Sequence, residues 1–396
     1  MSSDPSQILQ HQINFLSGDE LAIPTLSILN ADGSLQAGAV EPQMSQELAL
    51  KIYKNMVYIR ILDERMVSAQ RQGRLSFYLT CSGEEAAVTG AVAALSPDDM
   101  IMGQYREQAA IRFRGFSTEQ FMNQLLSNQD DLGKGRQMPV HYGSKELNFM
   151  TISSPLATQI PQASGYAYAQ KLQGKQACTL CYFGEGAASE GDFHAGLNMA
   201  AVLNCPVVFL CRNNGYAIST PSSEQFKGDG IAARGVGYGM KTLRVDGNDI
   251  LAVYAATVAA RKLAVENNEP VLLEAMSYRL GAHSTSDDPS GYRSKDEEDK
   301  WREKDPIERM RNWLQHKGWW SDAEEKETTE AYRQEVLAEL KQVEKKPGPG
   351  FDQMISDVYD QPLAEMKKQA QALAQHIQKY PQHYPATAGT IKPGGQ

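Results

Sequence analysis

Nowhere in the 396 residues does an apolar run approach the ~18 positions that a membrane-spanning helix needs, so no membrane segment is expected. Lys and Arg are missing from the first fifty residues, Lys51 being the first. A leader without them resembles neither a secretory signal nor a transit peptide, and the cytoplasm of a bacterium is the expected address. Positive charge is in deficit overall: 39 Lys and Arg face 48 Asp and Glu, for a net charge of −9. That balance argues against nucleic acid as the main partner. Cysteine is scarce and odd in number, five in all, mostly inside apolar runs. Reduced core thiols fit this pattern, as in a reducing compartment. Cys178 and Cys181 have the spacing of a redox or metal pair. Inside a strand, however, they point to opposite faces, which argues against both roles.

What is present reads as alternating helices and strands. Residues 1–44 lack helical periodicity and are expected to form an arm, with Asn30-Ala31-Asp32-Gly33 as a hairpin turn. Ser45 opens a helix whose apolar face carries Leu48, Ile52, Met56, Ile59 and Leu62, and Gly73 stops it. Ser82-Gly83-Glu84-Glu85 has the form of a capping box before a small-residue helix over 86–95, expected to be buried centrally. A strand is expected over 100–107, a loop over 131–142, and a helix with Pro161 in its first turn ending near Gly174. The spacing then predicts helices over 231–238 and 250–267, the second capped by Asp249, and strands over 242–245 and 271–278. Mixed charges with periodic apolar positions predict solvated helices over 295–346. After the Pro/Gly break at 346–350 come a strand-like piece, a helix to about Lys379, and a tail expected to be disordered. This is an α/β chain with a doubly wound parallel sheet. We expect one domain over 45–346, flanked by the arm and by a C-terminal piece over 347–396.

The stretch 184–214 organises the rest. An apolar strand ends in Gly184-Glu185-Gly186, a helix over 193–203 follows, and a second apolar strand ends in Arg212-Asn213-Asn214. In a doubly wound sheet the carboxyl ends of neighbouring strands share the ligand crevice, so Glu185 and Asn214 are expected on one rim. A carboxylate, an amide oxygen and the Tyr216 carbonyl could supply the protein half of a Mg²⁺ site, with a phosphorylated ligand and water completing it. An ordinary βαβ unit with a Gly turn remains open at this point. A dinucleotide fingerprint fits poorly, because Ser189 stands where its third Gly or Ala belongs.

Other candidates cluster nearby in the pattern. Tyr105 and Arg106 end a strand, where they could bind a diphosphate; surface Tyr-Arg pairs are also common. The segment 153–159 precedes a helix, where hydroxyls and backbone groups can line a ligand or hold a monovalent cation; a plain capped loop is the alternative. His283 follows a strand of the same sheet, on a loop rich in Ser and Asp over 279–294. A lone His is more often structural; placement on the shared rim strengthens a catalytic role for His283 without displacing the structural reading.

Gly-acid-Gly followed some thirty residues later by Asn-Asn resembles the motif of thiamine diphosphate enzymes. The stretches GQYRE (103–107), DLGKGRQMPVHYG (131–143), TISSPLATQIPQA (151–163), YFGEGAASEGD (182–192), CRNNGYAISTP (211–221), GDGIAARG (228–235), RVDGND (244–249) and HSTSDDPSGYRS (283–294) extend the likeness. Together they resemble the alpha subunits of the decarboxylating component of branched-chain 2-oxo acid dehydrogenase complexes. In that family the acid of the metal motif is Glu, as here. The resemblance implies Mg²⁺ on Glu185, Asn214 and the Tyr216 carbonyl. It implies a diphosphate held by Tyr105, Arg106 and Arg212, with the Gly186 and Ala187 backbone alongside. Ser154 and Leu156 would contact the ring systems of thiamine diphosphate, and Ser153, Pro155, Thr158 and Gln159 would form a K⁺ site. His283 would be the catalytic histidine beside the cofactor. Gln104 and His141 lie in matching motifs without an assigned role. Ala282 stands where some relatives carry a second His, and Ser284 where mitochondrial relatives are phosphorylated; no such kinase is expected here.

The implied activity is oxidative decarboxylation of a branched-chain 2-oxo acid, with transfer of the acyl group to a lipoyl carrier on a transacylase component. One domain with one metal motif leaves no obvious place for the carboxylate that activates the aminopyrimidine. A separately encoded beta subunit and an α2β2 heterotetramer are therefore expected. A related decarboxylase acting on pyruvate or acetoin, a nicotinamide oxidoreductase, and a non-catalytic binding subunit are the alternatives.

Overall fold

The computed structural model describes residues 12–13, 15, 17–350 and 353–384; the tail over 385–396 and the first residues of the expected arm lie outside them. The strands are β1 (Thr25–Leu26), β2 (Met100–Met102), β3 (Phe149–Met150), β4 (Thr179–Gly184), β5 (Val207–Asn213), β6 (Tyr216–Ala217), β7 (Thr220–Pro221), β8 (Lys241–Asp246) and β9 (Val271–Met276). Seven of them form one sheet in the order β1-β8-β9-β5-β4-β2-β3, and every pairing in it is parallel. β6 and β7 form a small antiparallel hairpin beside it.

The helices of the α/β body are α1 (Gln46–Arg71), α2 (Glu85–Ala93), α3 (Gln108–Phe113), α4 (Thr118–Leu125), α5 (Gln159–Leu172), α6 (Gly191–Leu203), α7 (Ser222–Gln225), α8 (Ala232–Gly237) and α9 (Ile250–Asn267). The central strands are buried on both faces, which is why they read as continuous apolar runs. Leu180 and Tyr182 of β4, Val208 and Leu210 of β5, and Leu273 and Ala275 of β9 join the core under α1, α2 and α9. Cys181, Phe183, Val207, Phe209, Cys211 and Leu272 face the second core, under α5 and α6. Cys178 and Cys181 fall in different cores, as the alternation requires, and all five cysteines are free and buried. α5 and α6 approach closely at Gly196, where an added Cβ would stand 2.8 Å from Ile160 Cγ2 and 2.9 Å from the Pro161 nitrogen.

Helix signals read from the sequence mostly hold. Ser45 caps α1 by accepting the Leu48 N–H, and Asp249 caps α9 by accepting those of Leu251 and Ala252. Helix α2 is buried from Glu85 to Val92. The expected capping box at its start is not formed. Glu84 occupies the N-cap position and makes no side-chain cap bond, while Glu85 reaches back to the Gly83 N–H at 2.8 Å and pairs with Arg60 at 2.5 Å. The strand expected over 100–107 ends at Met102, because Glu107 folds the following residues into a turn by accepting the N–H groups of Gln104 and Tyr105, both at 2.8 Å.

At the N-terminal end, β1 pairs with β8 at the sheet edge, and the Asn30–Gly33 turn closes with a Gly33 N–H to Asn30 carbonyl bond of 3.0 Å. The charged C-terminal region forms α10 (Lys295–Arg302), α11 (Pro306–His316) and α12 (Asp322–Val343). The piece expected to be strand-like after the break is instead the short helix α13 (Gln353–Ser356), followed by α14 (Ala364–Lys379). Among the described residues no helix is long and apolar enough to cross a membrane.

Candidate active site

Parallel pairing brings the carboxyl ends of β2, β4, β5 and β9 to one rim, with Gly184 opposite Arg212 and Asn213 opposite Met276. The chain leaving β2 delivers Gln104, Tyr105 and Arg106; that leaving β4 delivers Glu185, Gly186 and Ala187. The end of β5 supplies Arg212 and Asn214, and the loop after β9 supplies Arg279 and His283. With Leu156, Tyr216 and others these residues line one cavity of about 270 Å³. Ten of the residues singled out from the sequence therefore meet: Tyr105, Arg106, Leu156, Glu185, Gly186, Ala187, Arg212, Asn214, Tyr216 and His283.

The Glu185 end of the cavity is built from buried polar groups. Glu185 Oε2 accepts the Asn214 N–H at 3.3 Å, while Glu185 Oε1 is buried without any hydrogen-bond partner. Burial pushes the Glu185 carboxyl up to about 7. An orphaned carboxylate oxygen buried beside a cavity is an expensive arrangement for the protein alone, and a bound cation would relieve it. Asn214 Oδ1 accepts the Tyr216 N–H at 3.2 Å, and its Nδ2 donates to Glu84 Oε1 at 2.6 Å. Among the described residues no three His, Cys, Asp or Glu side chains converge as a metal cluster. A cation here would lean on amide, carbonyl and ligand oxygens, the donor set of Mg²⁺.

Arg212 is almost wholly buried between two carboxylates, Glu84 and Glu107, the latter at 2.5 Å. Arg106 donates to the Thr80 carbonyl at 2.7 Å and to His283 Nδ1 at 3.1 Å, and Arg279 lies 3.4 Å from the same nitrogen. Guanidinium groups only donate, so Nδ1 is the acceptor and the neutral ring carries its proton on Nε2. Burial, then Arg106, then Arg279, depress the His283 imidazolium to about 4. The His283 N–H is held by Asp287 at 2.7 Å, and Asp287 also accepts the Tyr292 hydroxyl at 2.6 Å.

The chemistry of this rim (a buried acid and amide poised for a cation, with arginines and a neutral histidine across the cavity) coincides with a family match. The dehydrogenase E1 component model matches residues 53–351. The chain belongs to the dehydrogenase E1 component family. It is 52% identical over 375 residues to the mitochondrial 2-oxoisovalerate dehydrogenase subunit alpha of Homo sapiens, covering 94% of this chain and 83% of that one. Against the subunit alpha of Dictyostelium discoideum it is 53% identical over 365 residues, 92% and 83% of the two chains. Against subunit alpha 2 of Arabidopsis thaliana it is 47% identical over 377 residues, 95% and 80%.

In this E1 chain the remaining candidates sit in the loop before α5 and at its first residue, Gln159. Ser154 Oγ lies 2.8 Å from His141 Nε2, and His141 Nδ1 lies 3.1 Å from the Pro139 carbonyl. The Nδ1–H therefore donates to that carbonyl and Nε2 accepts the Ser154 hydroxyl. Ser153 and Pro155 are exposed, Thr158 donates its hydroxyl to the Pro155 carbonyl at 3.2 Å, and the buried Gln159 donates to the Tyr182 carbonyl at 3.0 Å. Reading the sequence alone missed Glu84, Glu107 and Arg279. Two adjacent acids opening an otherwise small and apolar helix were the available signal for Glu84.

Proposed function

We propose that this chain is the alpha subunit of the decarboxylating first component of a branched-chain 2-oxo acid dehydrogenase complex, a 2-oxoisovalerate dehydrogenase. The observation that carries the reading is the unpartnered Glu185 oxygen beside Asn214, in the rim cavity of a chain of the dehydrogenase E1 component family. The family implies thiamine diphosphate and Mg²⁺. When bound, that cofactor supplies the acidic carbon and the electron-accepting ring that decarboxylation of a 2-oxo acid requires.

Glu185, Asn214 and the Tyr216 carbonyl would hold the Mg²⁺. Tyr105, Arg106 and Arg212, with the backbone of Gly186 and Ala187, would face the diphosphate, and Ser154 and Leu156 the ring systems. Arg212 brings positive charge while two acids fix its plane, so it is preorganised rather than free to swing. His283 presents a neutral Nε2–H. It serves as a hydrogen-bond donor to charge developing on the substrate or the lipoyl sulfur, and its low proton affinity keeps it neutral across the physiological range. Ser153, Pro155, Thr158 and Gln159 are our proposed K⁺ site, supported by the carbonyl and hydroxyl oxygens gathered in that loop.

The alpha subunit of such a complex implies a beta subunit and an acyl-accepting partner component. We infer an α2β2 assembly, a lipoyl-bearing transacylase as acceptor, and a bacterial cytoplasmic setting. Five free thiols fit a reducing compartment of that kind.

Co-purification with the product of the neighbouring beta-subunit gene, followed by assay of CO₂ release from branched-chain 2-oxo acids, tests the reading. Activity should require both chains, thiamine diphosphate and Mg²⁺, and the melting temperature should rise with that cofactor and not with NAD. Stabilisation by NAD alone, or full activity of the isolated chain, would overturn it.

A further inference from the structure

We propose that Glu84 is the positioning residue of the metal end, holding the Asn214 carboxamide with its oxygen toward the cation while it fixes Arg212. This rests on the reading of the cavity as a Mg²⁺ and thiamine diphosphate site. Glu84 is fully buried at the N-cap of α2, yet it caps nothing. Its two oxygens have other partners: Oε1 accepts from Asn214 Nδ2 at 2.6 Å, and Oε2 pairs with Arg212.

The two ends of a carboxamide are nearly the same size, but only the oxygen can ligate a cation. A carboxylate accepts hydrogen bonds and never donates them, so Glu84 admits only the orientation with the Asn214 amino group toward itself. A flipped amide would set Oδ1 against the Glu84 carboxylate and the amino group against the Tyr216 N–H. Both contacts would be repulsive in a buried site, where unpaired polar groups are costly. Both Glu84 oxygens are already engaged, one by Asn214 and the other by Arg212, so the acid orients the ligand amide without competing for the ion.

The neighbouring Asn213 shows the same device used for structure alone. Its Nδ2 donates to the buried Glu274 at 2.8 Å and its Oδ1 accepts the Gly215 N–H at 3.1 Å. Each carboxamide of the Asn-Asn pair thus has its own acid, and only that of Asn214 faces the cavity. Glu84 and Asn214 are 130 positions apart in sequence, so no local pattern joins them.

The test uses Glu84→Gln in the complex with the beta chain. Glutamine keeps the shape but can present either a donor or an acceptor to Asn214. Mg²⁺ is titrated at saturating thiamine diphosphate, with the rise in melting temperature as readout. The Mg²⁺ midpoint should shift upward by about 10–100-fold, the usual effect of losing an outer-shell partner. Saturating Mg²⁺ should then bring back the thermal shift. Glu84→Asp, which remains acceptor-only, should shift the midpoint less, and it carries the test if the Gln variant does not assemble. Glu274→Gln should lower the melting temperature without moving the Mg²⁺ midpoint.

An unchanged midpoint in both Glu84 variants would overturn the proposal. So would an equal shift in Glu274→Gln. A wild-type complex without Mg²⁺-dependent stabilisation would instead remove the cofactor reading itself.

Discussion

Replacing Arg279 by Gln should make His283 easier to protonate, and the size of the change follows from the geometry. Arg279 Nη1 stands 3.4 Å from His283 Nδ1. Even at the dielectric constant of water, a lower bound beside the buried Arg279, a unit charge at that distance costs the imidazolium about 1.2 kcal/mol, or ~0.9 of a pKa unit. Arg279 is the third of the causes that lower this histidine, after burial and Arg106, so its removal relieves only part of the depression. The midpoint should therefore rise from about 4 by ~1 unit or more, while burial and Arg106 still hold it below the ordinary histidine value and the ring stays mostly neutral at pH 7.

The sign for stability follows from proton binding. The unfolded histidine titrates near 6.5 and the folded one near 4, so the unfolded chain binds the extra proton first. Stability is lost as pH falls through that window, and Arg279→Gln narrows it from below. Arg279→Lys keeps the charge and should move the midpoint less. The assay is a pH titration of ¹³C-labelled histidine rings in the assembled protein, with the His283 signal identified by its disappearance in His283→Ala. A wild-type midpoint at or above 6.5, or an unmoved midpoint in Arg279→Gln, would refute the reasoning.

His283→Ala should slow reductive acylation of the lipoyl group strongly while leaving the melting temperature near that of wild type. Normal acylation by a folded variant would remove the assignment. Glu274→Ala orphans Asn213 Nδ2, the Ile231 and Ala232 N–H groups and one side of Arg244, and should lower stability by about 3 kcal/mol in urea unfolding. Gly196→Ala forces a methyl group into the α5–α6 contact and should cost about 1–3 kcal/mol by the same measurement.

Much of this could be read from sequence wherever local chemistry and global fold agree. Strands β4, β5 and β9 were legible because two covered faces demand unbroken apolar runs. The shared rim of Glu185 and Asn214 followed because neighbouring parallel strands end together. The failures lie where a side chain overrode the pattern around it. Glu107 shortened the strand after Met102 by accepting the backbone N–H groups of Gln104 and Tyr105. Ser82 to Glu85 had the letters of a capping box, but Arg60 claims Glu85, and Asn214 and Arg212 claim Glu84. Arg212 lies 128 and 105 positions from its two acids, a pairing that only the folded topology brings together. The helix at Gln353–Ser356 occupies a segment too short and too polar for periodicity to separate turn from strand.

The two ends of the cavity are held by different kinds of structure. Glu185 and Asn214 are fastened to paired strand ends and buried acids, whereas His283 rides on a loop tied down by Asp287, Tyr292 and Arg279. On the proposed reading, the anchoring half is a fixed socket and the reacting half an exchangeable fitting. A different loop after β9 would then change which groups meet the acyl acceptor while Glu185 and Asn214 keep their places.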